Sequence, residues 1–225
     1  EKCKVEEYPD WLKHTVTLKN PITAESFAAL SKKQDGSTKI HLIDMIPRQI
    51  INHHMLEEMQ VKNGKIQVNI EKDIVKLAVV ERYGKNGNVG VGFVRGFELK
   101  KGALAYSMSH DHHNIVVVGT NDEDMALAVN EVARLNGGLS VTCGGKILNS
   151  MELPIGGLMS EKPAEEVMAQ LDILNADAKA LGCGMDAPFM SLSFISLPTV
   201  PDLGLTDLGL VDVLEHKLIP LEAEE

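Results

Sequence analysis

Two apolar runs of strand length, Ala103–Met108 and Ile115–Val118, enclose His110, Asp111, His112, His113 and Asn114. Small, aromatic and β-branched residues at this density favour strands, and strands this apolar need cover on at least one face. The polar residues between them then fall at a strand end or bulge, where a rigid scaffold holds side chains at fixed separations. This stretch alone demands a sheet and puts a chemically capable cluster at its margin.

The β signature recurs on both sides of it. Ile40–Ile46 stops at Pro47, Ile50–Val61 and Ile66–Ile70 bracket Asn63-Gly64, and Ile74–Val80 is too short and too β-branched for a helix. Asn-Gly is the strongest short hairpin signal, and Gly144-Gly145 makes a second hairpin between Leu139–Cys143 and Lys146–Met151. Helical periodicity appears twice. Thr120-Asn121-Asp122-Glu123 reads as a capping box, followed by Met125, Ala128, Val129 and Val132 at helical spacing and by Gly137 as the stop. Pro163 fits the first turn of a second helix with one face formed by Val167, Leu171, Leu174, Ala178 and Leu181, ended by Gly182. Near the start, His14–Leu18 reads as a short edge strand and Thr23–Leu30 as a short helix. Phe189–Leu197 reads as a buried strand closed by Pro198 and Pro201, Leu203–Val213 as the last ordered segment, and Leu221–Glu225 as a frayed acidic tail. Together these elements predict an α+β fold, a largely antiparallel, hairpin-rich sheet with helices packed on it.

Charge and length narrow the function. Lys and Arg number 22 against 32 Asp and Glu, for a net charge of -10, and no basic run occurs, so nucleic acid and anionic membranes are poor partners. No apolar stretch approaches the roughly 18 uncharged residues of a spanning helix, and no signal-peptide pattern opens the chain, which reads as soluble and cytoplasmic. At 225 residues and 44% hydrophobic content a sizeable core is available. Cys3, Cys143 and Cys183 have no paired spacing, so reduced thiols are expected rather than disulfides or a zinc ribbon.

Glycines at 84, 87, 90, 92 and 96 match neither the dinucleotide fingerprint nor a phosphate loop. Two readings fit them: positive φ and close backbone approach, or a mobile lid with Phe93 and Phe97 as apolar tips and Arg95 as a polar one. His53 and His54 beside Glu57 and Glu58 read either as a metal pair or as solvated polar surface. In the central cluster an extended backbone would point His110 and His112 one way and Asp111 and His113 the other, whereas a bulge would gather His110, Asp111 and His113. Imidazole and carboxylate suit zinc, manganese or iron, with His110 and His113 as candidate ligands, although a catalytic metal needs at least three. Asp111 equally suits orienting an imidazole as a general base, or a polar patch at a domain interface.

Several motifs then carry a resemblance. They run Glu81-Arg82-x-Gly84, Gly87-Asn88-x-Gly90-x-Gly92-Phe93-Val94-x-Gly96-Phe97, Lys101-Gly102-Ala103-Leu104-Ala105, and Ser109-His110-Asp111-x-His113-Asn114 onward to Met125. Further along come Glu152-Leu153-Pro154-Ile155-x-Gly157-Leu158-Met159-Ser160, Pro188-Phe189-Met190-x-Leu192-Ser193-Phe194 and Leu205-Thr206-Asp207-x-Gly209-Leu210-Val211-Asp212. From Ile74 onward the chain resembles, in the family's order, the C-terminal region of the bacterial and archaeal adenine deaminases of the amidohydrolase superfamily. Tyr8-Pro9 and Lys39–Val61 resemble more loosely the segment that follows that family's catalytic barrel. The resemblance therefore divides the chain into residues 1–73, a linker and β-rich part, and residues 74–225, the C-terminal α+β domain.

What the resemblance implies is hydrolytic deamination of adenine to hypoxanthine and ammonia, with a pair of divalent metals, manganese or iron. Family members hold those metals on a His-x-His motif and further His and Asp residues of a (β/α) barrel preceding this region. The strand-helix alternation of such a barrel is absent from this chain, and its only His-x-His is His110-x-His112. The expectation is thus the C-terminal portion of an adenine deaminase, inactive by itself, partnered by the barrel, with adenine as the whole enzyme's substrate and homo-oligomerisation left open. A reading of another class is a free-standing, non-catalytic purine- or metal-binding module. The signature of the unrelated zinc nucleobase deaminases, His-x-Glu with Pro-Cys-x-x-Cys, is absent. Two residues depart from the family pattern: Tyr83 stands where His is common, and His112 where a small residue is common. The substrate-proximal candidates are His110, Asp111, His113 and Asn114, with Phe93 and Arg95 from the glycine-rich stretch.

Overall fold

Residues 7–199 and 202–223 are described by the computed structural model; Cys3, Pro201, Glu224 and Glu225 lie outside the described residues. The strand-forming runs become β1 (Gly36–Met45), β2 (Asn52–Lys62), β3 (Lys65–Ile66), β4 (Ile74–Val80), β5 (Val89–Arg95), β6 (Ala103–Tyr106) and β7 (Ile115–Gly119). Helix α1 (Asp122–Arg134) precedes β8 (Gly138–Cys143) and β9 (Lys146–Glu152). These strands form one open nine-stranded sheet in the order β3-β2-β1-β5-β4-β7-β6-β8-β9, parallel only between β1 and β5. Helices α2 (Ala164–Ala180) and α3 (Pro188–Ile195) follow, and β10 (Leu203–Thr206), β11 (Gly209–Asp212) and β12 (Lys217–Ile219) make a separate antiparallel sheet of three strands. The expected α+β architecture is present, and the large sheet runs without a break across residues 73 and 74.

Both expected hairpins form with the turn their residues favour. Asn63 and Gly64 have φ of 52° and 72°, and Gly144 and Gly145 have 61° and 73°, the paired left-handed conformations that match strand twist. Every residue of β4 is buried, so this strand needs cover on both sides. Val75, Leu77 and Val79 face a core shared with α2, α3 and the small sheet. Ala78 and Val80 face the other way, onto Met125, Ala128, Val129 and Val132 of α1 and onto Phe27. Lys76, 5% exposed, finds two partners there: Nζ donates to the Phe27 carbonyl at 2.9 Å and to Asp122 at 2.5 Å.

The glycine-rich stretch is a strand, not a lid. Gly90 and Gly92 leave one face of β5 bare, and the small sheet lies directly on it. A Cβ on Gly90 would sit 1.9 Å from the Thr206 carbonyl oxygen, and one on Gly92 3.2 Å from Leu210. Phe93 and Phe97, the expected lid tips, are fully buried in the core. Arg95 is tied to Glu57 at 2.5 Å and lies 3.6 Å from Asp44.

Other expectations shift for identifiable reasons. Phe189–Leu197 is not a strand: Pro188 sits at the start of a helix, and burial of Phe189, Leu192, Ser193 and Ile195 follows helical spacing. The α1 cap is Asn121 rather than Thr120, its side chain accepting from the Asp124 backbone, while the Thr120 hydroxyl donates to Gly102. Thr23–Leu30 contains only a 3-10 turn, Ala24–Phe27, and the first edge strand shrinks to a single bridge of Thr17 with Tyr83. Order does not stop at Val213, since β12 follows. Nor is Leu221–Ala223 frayed: the His41 backbone donates to Leu221, the Ala223 backbone donates to Lys39, and the Ser31 hydroxyl donates to Glu222.

Replacing Gly90 by Ala should therefore lower stability by about 2 kcal/mol or more, because backbone rather than a movable side chain opposes the new methyl. Urea denaturation checks this; Gly145→Ala, where a Cβ meets nothing within 4 Å, serves as a contrast limited to the cost of its positive φ.

Candidate functional site

Where β4 ends, β5 and β7 begin and β6 ends, the β4–β5 and β6–β7 loops meet at one end of the sheet. The loop after β4 is organised by Glu81. Its buried carboxylate accepts from the backbone N–H groups of Tyr83, Lys85, Asn86 and Gly87 at 2.5–3.3 Å. Burial alone would raise its pKa, but these donors more than offset it and hold the carboxyl below the ordinary range. Next to it Arg82 is 2% exposed, and its Nη2 donates to the Gly156 carbonyl at 3.0 Å. Its Nε and Nη1 find no acceptor among the described residues, and burial depresses its pKa.

The loop from Ser109 to Asn114 is a turn, neither an extended strand end nor a bulge. The His113 backbone N–H donates to the Ser109 carbonyl at 2.6 Å, with His113 itself left-handed at φ 51°. That turn sorts the side chains in a way alternation does not. His110 and His113 face each other edge to face, 6.2 Å between ring centres, and His110 stacks on Phe194 of α3 at 4.4 Å. His112 points inward instead: its Nδ1 accepts from the Asn114 backbone at 3.2 Å, and its Nε2 lies 3.4 Å from the Ser109 hydroxyl. Asp111 is exposed. Asn114 is 4% exposed; its amide donates to Asp207 at 3.3 Å and its carbonyl oxygen accepts from the Arg82 backbone at 3.4 Å.

Of the sequence candidates, His110, Asp111, His113 and Asn114 thus share one loop, whereas Phe93 and Arg95 do not join them. Phe93 is core, and Arg95 lies at the far end of β5, about 20 Å of strand from Val89. His41 and His54 pair across β1 and β2 at 2.6 Å, and His53 lies 3.8 Å from Asp202, away from the cluster loop. Among the described residues no three His, Cys, Asp or Glu side chains converge as metal ligands do, so His110 and His113 stand as a pair without a third.

Sequence reasoning missed the carboxylate that ties the loops together. Asp207, at the tip of the β10–β11 hairpin, accepts from the side chains of Asn86, Asn88 and Asn114 at 3.3–3.5 Å. The available signal was Thr206-Asp207-x-Gly209, a turn-forming tetrapeptide, though nothing local says which strands the hairpin will meet. The two departures from the family pattern prove to touch, Tyr83 Oη donating to the His112 carbonyl at 2.8 Å.

Fold and site together define an antiparallel α+β domain whose polar cluster lies at one sheet end beside α3. Residues 49–217 match the family model described as the adenine deaminase C-terminal domain. The chain is 57% identical over 224 residues to an adenine deaminase of Desulforamulus reducens, covering all of this chain and 38% of that protein. It is 48% identical over 184 residues to one of Dehalococcoides mccartyi, covering 82% of this chain and 32% of the relative. Against one of Moorella thermoacetica it is 41% identical over 214 residues, covering 95% and 36%. This chain belongs to the adenine deaminase C-terminal domain family, and it spans about a third of the length of these relatives.

Burial lowers the His112 pKa from 6.5 to about 4. A folded-state value below the unfolded one means the unfolded chain takes up the proton first, so stability is full above about pH 6.5 and falls as pH drops toward 4. Roughly 2 kcal/mol should be lost across that window, after allowance for partial exposure. His112→Gln should remove this component from a stability-versus-pH titration; an unchanged slope would show that the imidazole does not titrate as described.

Proposed function

We propose that this chain is the C-terminal part of an adenine deaminase acting in the cytoplasm. The reaction replaces the exocyclic amino group of adenine by oxygen: water adds at the carbon bearing it, the C–N bond breaks, and hypoxanthine and ammonia leave. The observation that carries the reading is the match to adenine deaminases along the whole chain, at 57% identity in one case. In this reading a barrel preceding this segment would hold a divalent metal centre, manganese or iron, which would supply the activation of water. The described residues offer no convergent triad for such a metal. Adenine is the substrate of the whole enzyme, and the barrel is this segment's partner.

The segment's own part is to present His110, Asp111, His113 and Asn114 to the mouth of the barrel. His113 suits this role because burial, with Arg82 and His110 nearby, holds its pKa below the ordinary imidazole value. A neutral ring at neutral pH can accept or pass on a proton, or hydrogen-bond a purine nitrogen. Asn114, fixed by Asp207 and the Arg82 backbone, positions the loop.

Supplied with manganese, the 225-residue chain should release no ammonia from adenine, whereas the full-length protein should. Turnover proportional to the short chain would overturn the reading. In the full-length protein His113→Ala should reduce turnover by about a hundredfold with little change in thermal stability. Equal losses of folded protein and of activity would make the cluster purely structural.

A further inference from the structure

Two clefts flank α3, one of about 610 Å3 and one of about 730 Å3, and both are lined by Ala187, Met190 and Phe194. They form one groove along the helix. Methionines line it throughout: Met45 and Met185 on one side, Met108, Met151, Met159 and Met168 on the other, Met190 on both. That is seven of the ten in the chain, and Met159, Met168 and Met190 are 55%, 64% and 61% exposed. Flexible thioethers concentrated on an open apolar surface mark a place where another surface packs.

The rim of the groove says which surface. Residues Leu158, Met159, Ser160 and Lys162 form one lip, and the earliest described part of the chain is tied to the same loop. The Gly156 backbone donates to the Leu12 carbonyl at 2.8 Å, and Lys13 pairs with Glu161 at 2.8 Å. The family model describes a C-terminal domain, so on the proposed reading the part of the enzyme that precedes it would reach the fold beside this lip. The groove's floor also carries His110, stacked on Phe194.

We infer that the methionine groove along α3 is the docking surface for the domain that precedes this segment, and that docking sets His110 and His113 against that domain. The inference rests on the proposed reading that a larger enzyme surrounds the segment. Exposed Ile51, Met55 and Leu56 on and just before β2 offer a rival apolar surface, but among the described residues no hydrogen bond or ion pair of the Tyr8–Lys13 segment leads toward it.

The test uses the full-length protein with single cysteines at Met190→Cys, Met168→Cys, Leu56→Cys and Leu214→Cys, modified by a maleimide and located by peptide mass. Leu214 is 75% exposed on the β11–β12 turn, so its cysteine should react fastest. Cysteines at 190 and 168 should react at least about tenfold more slowly than at 214, and that at 56 at nearly the 214 rate. Reaction at 190 and 168 as fast as at 214, or protection at 56 instead, would overturn the docking surface. Protection at 190 lost on dilution would assign the groove to a second copy and equally overturn it. Adenine turnover of the unmodified full-length protein, measured alongside, separates the two ideas: no turnover sinks the functional reading, whereas normal turnover with a reactive groove sinks only this one.

Discussion

A strand with water on neither side must be covered twice, and β4 is such a strand. Its seven residues are all buried, and its two antiparallel neighbours, β5 and β7, are nearly as apolar. Each face needs its own layer: α1 with the segment around Phe27 on one side, and α2, α3 and the small sheet on the other. Lys76 shows how strict the constraint is, since an ammonium in this strand is tolerated only through a carbonyl and a carboxylate brought to it from two other elements. Removing either partner would leave an unpaired buried charge, which costs more than the pair contributes.

Because β4 is covered on both faces, polar chemistry can collect only where the strands end. There the loops compete for hydrogen bonds with little water, and they solve the problem by sharing acceptors. Glu81 collects four backbone donors, and Asp207 collects three side-chain amides from two loops. Each carboxylate thereby fixes the loop positions more tightly than apolar packing of the same area would, since an acceptor left short of donors is penalised by its full desolvation. The turn holding His110 and His113 depends on this frame through Asn114, which bonds both to Asp207 and to the β4 loop.

The hairpins were legible because two consecutive residues tolerant of positive φ leave few alternatives to a tight antiparallel turn, and the α1 face because its periodicity is unambiguous. Phe189–Leu197 was not. Its apolar and small residues satisfy both periods, and the decision comes from what lies opposite: the helix packs against β6 and β7 instead of pairing with them. The glycine-rich stretch was ambiguous for a different reason. Gly90 and Gly92 report a backbone approach, but a sequence does not reveal whether the approaching backbone is a ligand-gripping loop or, as here, the β10–β11 hairpin. In the cluster, the identity of the residues was visible, while their grouping stayed open between an extended and a bulged backbone. A one-residue change from strand to turn moves His112 inward and pairs His110 with His113, and that depends on bonds to Ser109 and on α3.

The positions of Arg82 and Gly157 connect this frame to the groove. A methyl on Gly157 would collide with the Arg82 guanidinium at 1.8 Å, so bare backbone is all that separates that buried cation from the 156–161 loop. The same loop holds Leu12 and Lys13 and forms the lip of the methionine groove. The lip thus lies, through one glycine, against a guanidinium whose Nε and Nη1 find no acceptor among the described residues, and that guanidinium in turn lowers the His113 pKa. In this corner of the fold, the lip of the groove and the electrostatics of the cluster depend on the same few atoms.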